Sequence, residues 1–531
     1  MPPGGNFNET GCLRVRRVRA SVAVLQRCNR LADNEKQVDV GEGDAAGDLD
    51  VDQQAGFVAD AEASPSLPSA ALAALAVGVS RARGVFGPQT GTSAELWELA
   101  WPVMLSQVMV TVLGLADIAM VGRLGANELA AAGYATQLLF LGQSALFAVG
   151  FSCVAIVARA IGAGRRDRAR HAHAASLIVA VATAAAITAA VLVNPRWLLG
   201  LLNADEQVID LAIPYLRMIM VSTLMLAVSL TMESAMRADR DTMTPLLIAL
   251  LVTVVKVLLN LVLIFGMFGL PRMELVGAGI ATLVAQALGV LLFIGVVRRA
   301  SGGSPMALTI ADFRECRGTL REVARIAAPG IGERVQLNLA LLVYFAVLGH
   351  YGTVAVAAYT VGVRVLAFSW IPGTGLAAAV ATLVGQSLGA GDVEQAERAG
   401  WRAARLSLMV AVVVGAVGAL ARQPLAEAFT DDPATLEVLV PFMLCVALAQ
   451  PLLQLHFTLG GAHRGAGDTM TPMLAAAAGN WLLRVPLAIL FSWGLGLGIV
   501  WVWAALVFDH ALRAVWLLLT FKSGSWKTAR A

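Results

Sequence analysis

The sequence has few charged residues and few cysteines for its length. Asp, Glu, Lys and Arg make up 14% of the 531 residues, whereas soluble globular proteins carry about 25%. The five cysteines are scattered and form neither a CxxC pair nor a cluster with histidine, which argues against a disulfide framework or a metal site. A net charge of only +3, with no run rich in Lys and Arg between aromatic residues, argues against a nucleic-acid partner.

Apolar residues are abundant, at 58% of the sequence, and they form runs of roughly 20 residues. Runs of this length are typical of helices that cross a bilayer, because a helix satisfies every backbone polar group within the segment. Alternating segments of roughly 10 residues, typical of membrane β-barrels, are not found in the sequence. The pattern predicts an all-α polytopic membrane protein with transmembrane helices near 96–121, 130–158, 173–193, 208–236, 244–268, 275–298, 323–348, 357–384, 402–421, 436–461, 471–493 and 498–521.

Composition and charge predict the domain organisation. Residues 1–91 combine mixed charge with few aromatics, which is typical of a disordered tail or of a mis-annotated start. Lys and Arg are concentrated in the loops that follow even-numbered helices, so those loops and both termini are predicted to be cytoplasmic and the protein to lie in the cell membrane. The remaining predicted segments are a first six-helix lobe at 92–299, an inter-lobe loop at 300–322, a second six-helix lobe at 323–522 and a short tail at 523–531.

The two halves repeat at one fixed sequence offset, the spacing that relates Gly162 to Gly389. Gly162–Gly164 (Gly-Ala-Gly) corresponds to Gly389–Gly391, and Asp241–Pro245 (Asp-Thr-Met-Thr-Pro) corresponds to Asp468–Pro472. Because each half has an even number of predicted helices, both halves insert with the same orientation, which makes a parallel repeat. The glycines are predicted to end one helix and the aspartates to cap the next.

Several motifs together resemble one transporter family. They are Asp117–Gly125 (Asp-Ile-Ala-Met-Val-Gly-Arg-Leu-Gly), Leu129–Gly133, Pro372-Gly373, Val384–Gly391 and Arg464–Pro472. Over about residues 92–522 the sequence is similar to the multidrug and toxic compound extrusion (MATE) family, and its first helix is most similar to the subgroup of the DNA-damage-inducible F proteins. The resemblance implies proton- or sodium-coupled efflux, often of cationic amphiphiles, by a V-shaped pair of six-helix lobes.

Ionisable residues inside predicted helices are candidate functional residues, because a charge in the hydrocarbon is costly. Asp117 lies late in helix one, Lys256 lies near the middle of helix five, and Asn260 follows four residues later on the same face. Thr282 lies early in helix six, and the four side chains form one polar cluster if these helices meet. The resemblance implies a cation site at these positions, although an amide is more usual where Lys256 stands. A static ion pair that ties helices one and five together is the alternative.

The second half contains its own set of intramembrane charges. Glu333 lies one turn after Pro329, and the resemblance implies a role in transport for an acid here; the alternative is that it reaches the interface together with Arg334. Asp509 and Arg513 are spaced i, i+4 and are predicted to neutralise each other. Two further arginines are Arg364 and Arg484.

The predicted function is a secondary active antiporter that exports small organic compounds, cationic and amphiphilic by the resemblance. Protons are favoured over sodium as the coupling ion, because the Lys256 ammonium would occupy the place of a bound cation and favour the ionised Asp117. The expected partners are the substrate and the lipid bilayer, with no cofactor or metal, and a monomer suffices because one chain contains both lobes. A lipid-linked oligosaccharide flippase with a cationic cavity is the alternative, suggested by Arg364, Lys256 and Arg484. An enzyme is disfavoured because the sequence has neither an HExxH motif nor a P-loop.

Overall fold

The computed structural model describes residues 92–529 except 203, 270 and 301–303, and these residues form helices and short connections without strands. The predicted tail at 1–91 lies outside the described residues. Within these described residues, twelve helices are long and apolar enough to cross a membrane, which confirms the predicted fold class. They are α1 Thr92–Gly122, α2 Ala126–Gly162, α3 Arg166–Val193, α4 Glu206–Ala238, α5 Met243–Phe265, α6 Glu274–Arg299, α7 Arg317–Gly349, α8 Thr353–Gly389, α9 Val393–Leu420, α10 Pro433–Gly465, α11 Met470–Gly494 and α12 Ile499–Ser523.

The helices α1–α6 form the N-lobe and α7–α12 form the C-lobe. We call the end of the bundle where α1 begins and α12 ends the proximal end, and the opposite end the distal end. The repeated loops have the predicted local structure: the Asp241 carboxylate accepts a hydrogen bond from the Thr244 amide at 3.0 Å, and Asp468 accepts one from the Thr471 amide at 3.0 Å. Short helices outside the twelve span Pro195–Leu201, Ile310–Glu315 and Arg422–Glu427, and 3₁₀ turns span Met267–Gly269 and Ser525–Thr528.

Each lobe has a proximal and a distal hydrophobic core, and the first helix of each lobe contributes to the proximal core of the other lobe. Leu96 and Leu99 at the start of α1 pack with α8, α9 and α12 of the C-lobe. Val323 and Ile326 at the start of α7 pack with α2, α3 and α4 of the N-lobe. The two lobes are therefore interlocked at the proximal end.

The closest approach between the lobes is a crossing of α2 and α8 at the proximal end. It takes place at two glycines that are equivalent in the repeat, Gly162 and Gly389. A Cβ atom at Gly162 would overlap with the backbone of Gln386, and one at Gly389 would overlap with the backbone of Arg159. Gln386 Nε2 also donates to the Ala238 carbonyl at 2.7 Å. Only glycine permits this approach, so the pair fixes the proximal ends of the lobes together.

Two further inter-lobe contacts lie about 21 Å from the proximal ends of α2 and α8, at about 14 residues and 1.5 Å per residue. A Cβ at Gly330 of α7 would stand 3.0 Å from the Ala148 Cβ of α2, and one at Gly375 of α8 would lie against Met104 of α1. Ala148 and Gly375 are again equivalent in the repeat, with the same spacing as Gly162 and Gly389. Among the glycines that the structure describes, these two make the most distal contacts between the lobes.

The segment that joins the lobes covers residues 300–316, because α6 extends to Arg299 and α7 begins at Arg317. Asp312 caps its short helix by accepting from the Thr309 amide at 2.8 Å, and it also accepts from Arg170 Nε of α3 at 3.4 Å. Burial opposes ionisation of this carboxyl group, but the hydrogen bonds from Thr309 and Arg170 outweigh it and hold the pKa of Asp312 below its ordinary value.

Candidate functional site

Three of the four residues predicted to cluster in the N-lobe do so. Lys256 Nζ of α5 lies 2.6 Å from Asp117 Oδ2 of α1, and Asn260 Nδ2 donates to Asp117 Oδ1 at 2.6 Å. The helical spacing of Lys256 and Asn260 explains why both reach the same carboxylate. The Asp117 side chain is 30% exposed and that of Lys256 is 14% exposed. The ion pair is thus only partly buried.

Thr282 does not complete this cluster. Its hydroxyl donates to the Ala278 carbonyl of its own helix at 2.9 Å, a common outcome for threonine in a membrane helix because the carbonyl four residues back is always within reach. Asn260 is 1% exposed, and its side-chain oxygen has no hydrogen-bond partner among the described residues. One buried acceptor next to the Asp117 carboxylate is therefore unused.

Glu333 lies at the boundary of the two lobes and is paired with an arginine of α10. Arg464 Nη2 contacts both of its carboxylate oxygens, at 2.7 and 2.9 Å. The Arg464 guanidinium also lies over the Phe151 ring of α2, 5.1 Å from its centroid. Glu333, Arg334 and Arg464 line a small pocket together with Ala148 and Phe151 of the N-lobe.

Sequence reasoning did not identify Arg464 as the partner of Glu333, although the repeat contained the signal. The equivalent arginine of the N-lobe, Arg237, pairs with Glu233 one turn earlier in its own helix. The position equivalent to Glu233 in the C-lobe is Gly460. Arg464 therefore has no acid one turn earlier in its own helix, and it pairs with Glu333 of α7 instead.

The prediction that Asp509 and Arg513 neutralise each other is confirmed, with Arg513 Nη2 2.7 Å from Asp509 Oδ2. Arg513 also donates to the Asn480 side chain of α11 at 2.6 Å. Two buried histidines stack nearby, His456 and His510, with ring centroids 5.1 Å apart. The residues of this network are all buried.

The C-lobe has no acid at the position that corresponds to Asp117. That position is Tyr344, whose hydroxyl donates to the Val502 carbonyl at 2.9 Å. Arg484 lies over the Tyr344 ring, 4.4 Å from the centroid, and donates to the Tyr359 hydroxyl at 3.0 Å. A π-helical turn at Gly479–Arg484 inserts an extra residue into α11, so Arg484 corresponds to Lys256 although it stands one position beyond the fixed offset of the repeat. Lys256 and Arg484 both face the first helix of their lobe, but only Lys256 forms an ion pair with it.

Comparison with known proteins extends the likeness to the whole described chain. The chain is 28% identical over 443 residues to the probable multidrug resistance protein NorM of Thermotoga maritima, covering 82% of this chain and 93% of that protein. It is 28% identical over 396 residues to a protein of Shewanella oneidensis named FAD transporter, covering 72% and 85%. A MOP superfamily transporter from Pyrococcus furiosus has the same fold, with a TM-score of 0.77 at 22% identity, covering 82% of this chain and 97% of that one.

The family model named MatE matches the chain twice, at residues 102–262 and 329–490. The starts of the two matches are separated by the fixed offset of the repeat, and their ends by one position more, as the π-helical turn of α11 requires. They fall on α1–α5 and α7–α11, and together they cover more than half of the sequence. The chain belongs to the MatE family of membrane transporters.

Proposed function

We propose that the protein is a secondary active antiporter that exports small organic amphiphiles across the cell membrane in exchange for protons. The observation that carries this proposal is the partly exposed ion pair of Asp117 and Lys256 within the membrane-spanning part of the N-lobe. An ion pair in that position is costly to maintain, which favours a functional role over a purely structural one. The relationship to proteins named as multidrug resistance proteins supports export as the direction.

The charge of Lys256 favours protons over sodium as the coupling ion. Its ammonium lies 2.6 Å from the Asp117 carboxylate, so a sodium ion would have to displace it. A proton needs no such displacement, because it binds the carboxylate directly and removes the charge that holds Lys256. The unused Asn260 oxygen supports the same reaction, since it could accept a hydrogen bond from the protonated acid after rotation of the amide.

The course of α1 suggests how protonation could act on the lobes. The distal part of this helix carries Asp117 against α5, and its proximal part packs on α8 of the other lobe through Met104 and Gly375. Loss of the Asp117 charge would free the distal part of α1 from Lys256. A change in the tilt of α1 would then reach the opposite lobe directly. Glu333 at the inter-lobe boundary is the second candidate coupling residue, released from Arg464 when it is protonated.

A lipid-linked oligosaccharide flippase is the second candidate function, and the side-chain positions weaken it. Of the three cations that suggested a cationic cavity, Arg484 is buried on Tyr344 inside the C-lobe, and Lys256 is paired with Asp117. Arg364 alone remains exposed.

The proposal is tested with purified protein in liposomes, under a proton gradient and separately under a sodium gradient. Dansylglycine and dansylcadaverine serve as probes, because they carry the same fluorophore with opposite charge. We expect the proton gradient alone to drive transport of at least one probe and Asp117→Asn to abolish it. Asp210→Asn is the control, since Asp210 forms an exposed ion pair with Arg196 at the distal end of α4. Transport driven by sodium, or by neither gradient, would contradict the proposal.

A further inference from the structure

Arg364 of α8 is an exposed arginine inside a membrane-spanning helix. It is the twelfth residue of α8 and lies about 16 Å from the distal start of that helix, at 1.5 Å per residue. Within the described part of the chain its guanidinium makes no hydrogen bond, ion pair or ring contact. A charge left unpaired at this depth points to a water-filled space or to a binding partner.

The helical position of Arg364 places it on the face of α8 that meets the N-lobe. Gly375 is eleven residues later, which is about 20° from Arg364 around the helix axis at 3.6 residues per turn. Gly375 contacts α1, and Thr382 on the same face donates to the Arg237 carbonyl of α4 at 3.1 Å. Arg364 therefore points between the lobes, on the distal side of the contact at Gly375.

The wall around Arg364 is apolar and differs between the lobes. Phe368, one turn after Arg364, is 36% exposed. The equivalent positions on the facing helix α2 are Gln137 and Leu141, both exposed, the leucine by 52%. One side of this space thus offers a guanidinium beside an aromatic ring, and the other side offers an amide beside an aliphatic chain.

The remaining charges between the lobes do not compensate Arg364. Asp117 is neutralised by Lys256, and both oxygens of Glu333 are held by Arg464. Arg334 lines the same pocket as Glu333 and adds a second positive charge there. Counting these residues, the inter-lobe space carries an excess of two positive charges and no unpaired carboxylate. An organic cation would find no counter-charge, whereas an anion would find two.

We propose that the space between the lobes binds an amphiphilic organic anion, with its acidic group on Arg364 and its apolar part against Phe368 and Leu141. This inference rests on the proposed export function and assigns the charge class of its substrate. The planar guanidinium can hold a carboxylate, sulfonate or phosphate through two parallel hydrogen bonds. A small soluble anion and the headgroup of an acidic lipid both have this chemistry.

The test compares dansylglycine with dansylcadaverine, both in binding to the purified protein and in proton-driven transport. We expect the anionic probe to bind and move, and Arg364→Gln to weaken its binding by about 10- to 100-fold, the loss expected for one charge-assisted hydrogen bond. Arg364→Lys should retain part of the affinity. Arg217→Gln is the matched control, because Arg217 is also the twelfth residue of its helix and is exposed on the face shared with Asp210, away from α2 and α6.

The outcomes separate this inference from the proposed function. Proton-driven transport of dansylcadaverine but not dansylglycine would overturn the anionic class while leaving the antiporter intact. Equal binding of dansylglycine by Arg364→Gln and the unaltered protein would overturn the assignment of Arg364. If a polyprenyl diphosphate displaces bound dansylglycine at a lower concentration than free benzoate does, the natural anion is the headgroup of a lipid. If benzoate displaces it at the lower concentration, the natural anion is a soluble compound.

Discussion

Alanine in place of Gly162 is expected to open the proximal crossing of α2 and α8. A Cβ there would stand 2.8 Å from the Cα of Gln386, whereas carbon atoms in contact keep about 3.5–4.0 Å. The two helices must therefore separate by about 1 Å, because the obstacle is backbone and cannot rotate away. Overpacking of this kind costs about 1–3 kcal/mol. The cost applies only to the state in which α2 and α8 cross here, so the equilibrium should shift toward a proximally open state by roughly 5- to 150-fold.

The shift is measurable as a distance distribution between two spin labels at the proximal end. Arg165→Cys and Glu394→Cys place the labels on exposed positions of opposite lobes, in a background without the five native cysteines. A longer-distance population should appear in Gly162→Ala. Gly133→Ala in the same helix is the control, because a Cβ at Gly133 would meet nothing within 4 Å. Identical distributions for Gly162→Ala and the control would refute the reasoning.

Three further outcomes follow from individual contacts. Arg513→Leu leaves the buried Asp509 without its partner and should lower the free energy of unfolding by about 3–5 kcal/mol, with recovery when Asp509→Leu is added; denaturant titration in detergent measures both. Asp312→Asn should lower the melting temperature at pH 7, and this difference should shrink as the pH falls below the ordinary carboxyl pKa of about 4 and disappear below the depressed folded-state pKa, because the group stabilises the fold only while it is ionised. If the melting temperatures of Asp312→Asn and of the unaltered protein converged at neutral rather than acidic pH, the sign of the effect would be contradicted. Lys256→Gln should make transport responsive to sodium, since it leaves Asp117 without a cation; an unchanged sodium response would show that Lys256 does not exclude the ion.

Local geometry made part of the candidate site predictable from the sequence. Lys256 and Asn260 had to share a face because they are spaced i, i+4 in an uninterrupted helix. Their meeting with Asp117 is a tertiary contact, and the sequence indicated it only through the family resemblance. Thr282 shows the limit of this reasoning. Its position was correctly placed in α6, but a carbonyl of the same helix satisfies its hydroxyl.

Other features could not be read from hydropathy or from the repeat alone. Apolar runs predict that α1 spans a membrane, but not that Leu96 packs in the core of the opposite lobe. Arg484 was a candidate cavity residue, yet it lies inside the C-lobe on the ring of Tyr344. The π-helical turn at Gly479–Arg484 shifts its register by one position, and the fixed offset between the other repeated motifs does not reveal such a shift.

Equivalent residues of the two halves are identical where the lobes cross at the proximal end, but they differ at the proposed functional sites. Gly162 and Gly389 are equivalent and identical, so the proximal crossing has matching halves about which the lobes can move. Farther along, Asp117 is opposed by Tyr344, and Arg364 by Gln137. The proposed proton site is thus in the N-lobe and the proposed anion contact in the C-lobe, with no shared side chain between them. Competition for one residue therefore cannot couple the two ions directly. The coupling must pass through the relative position of the lobes, and α1 is suited to carry it because it packs against both.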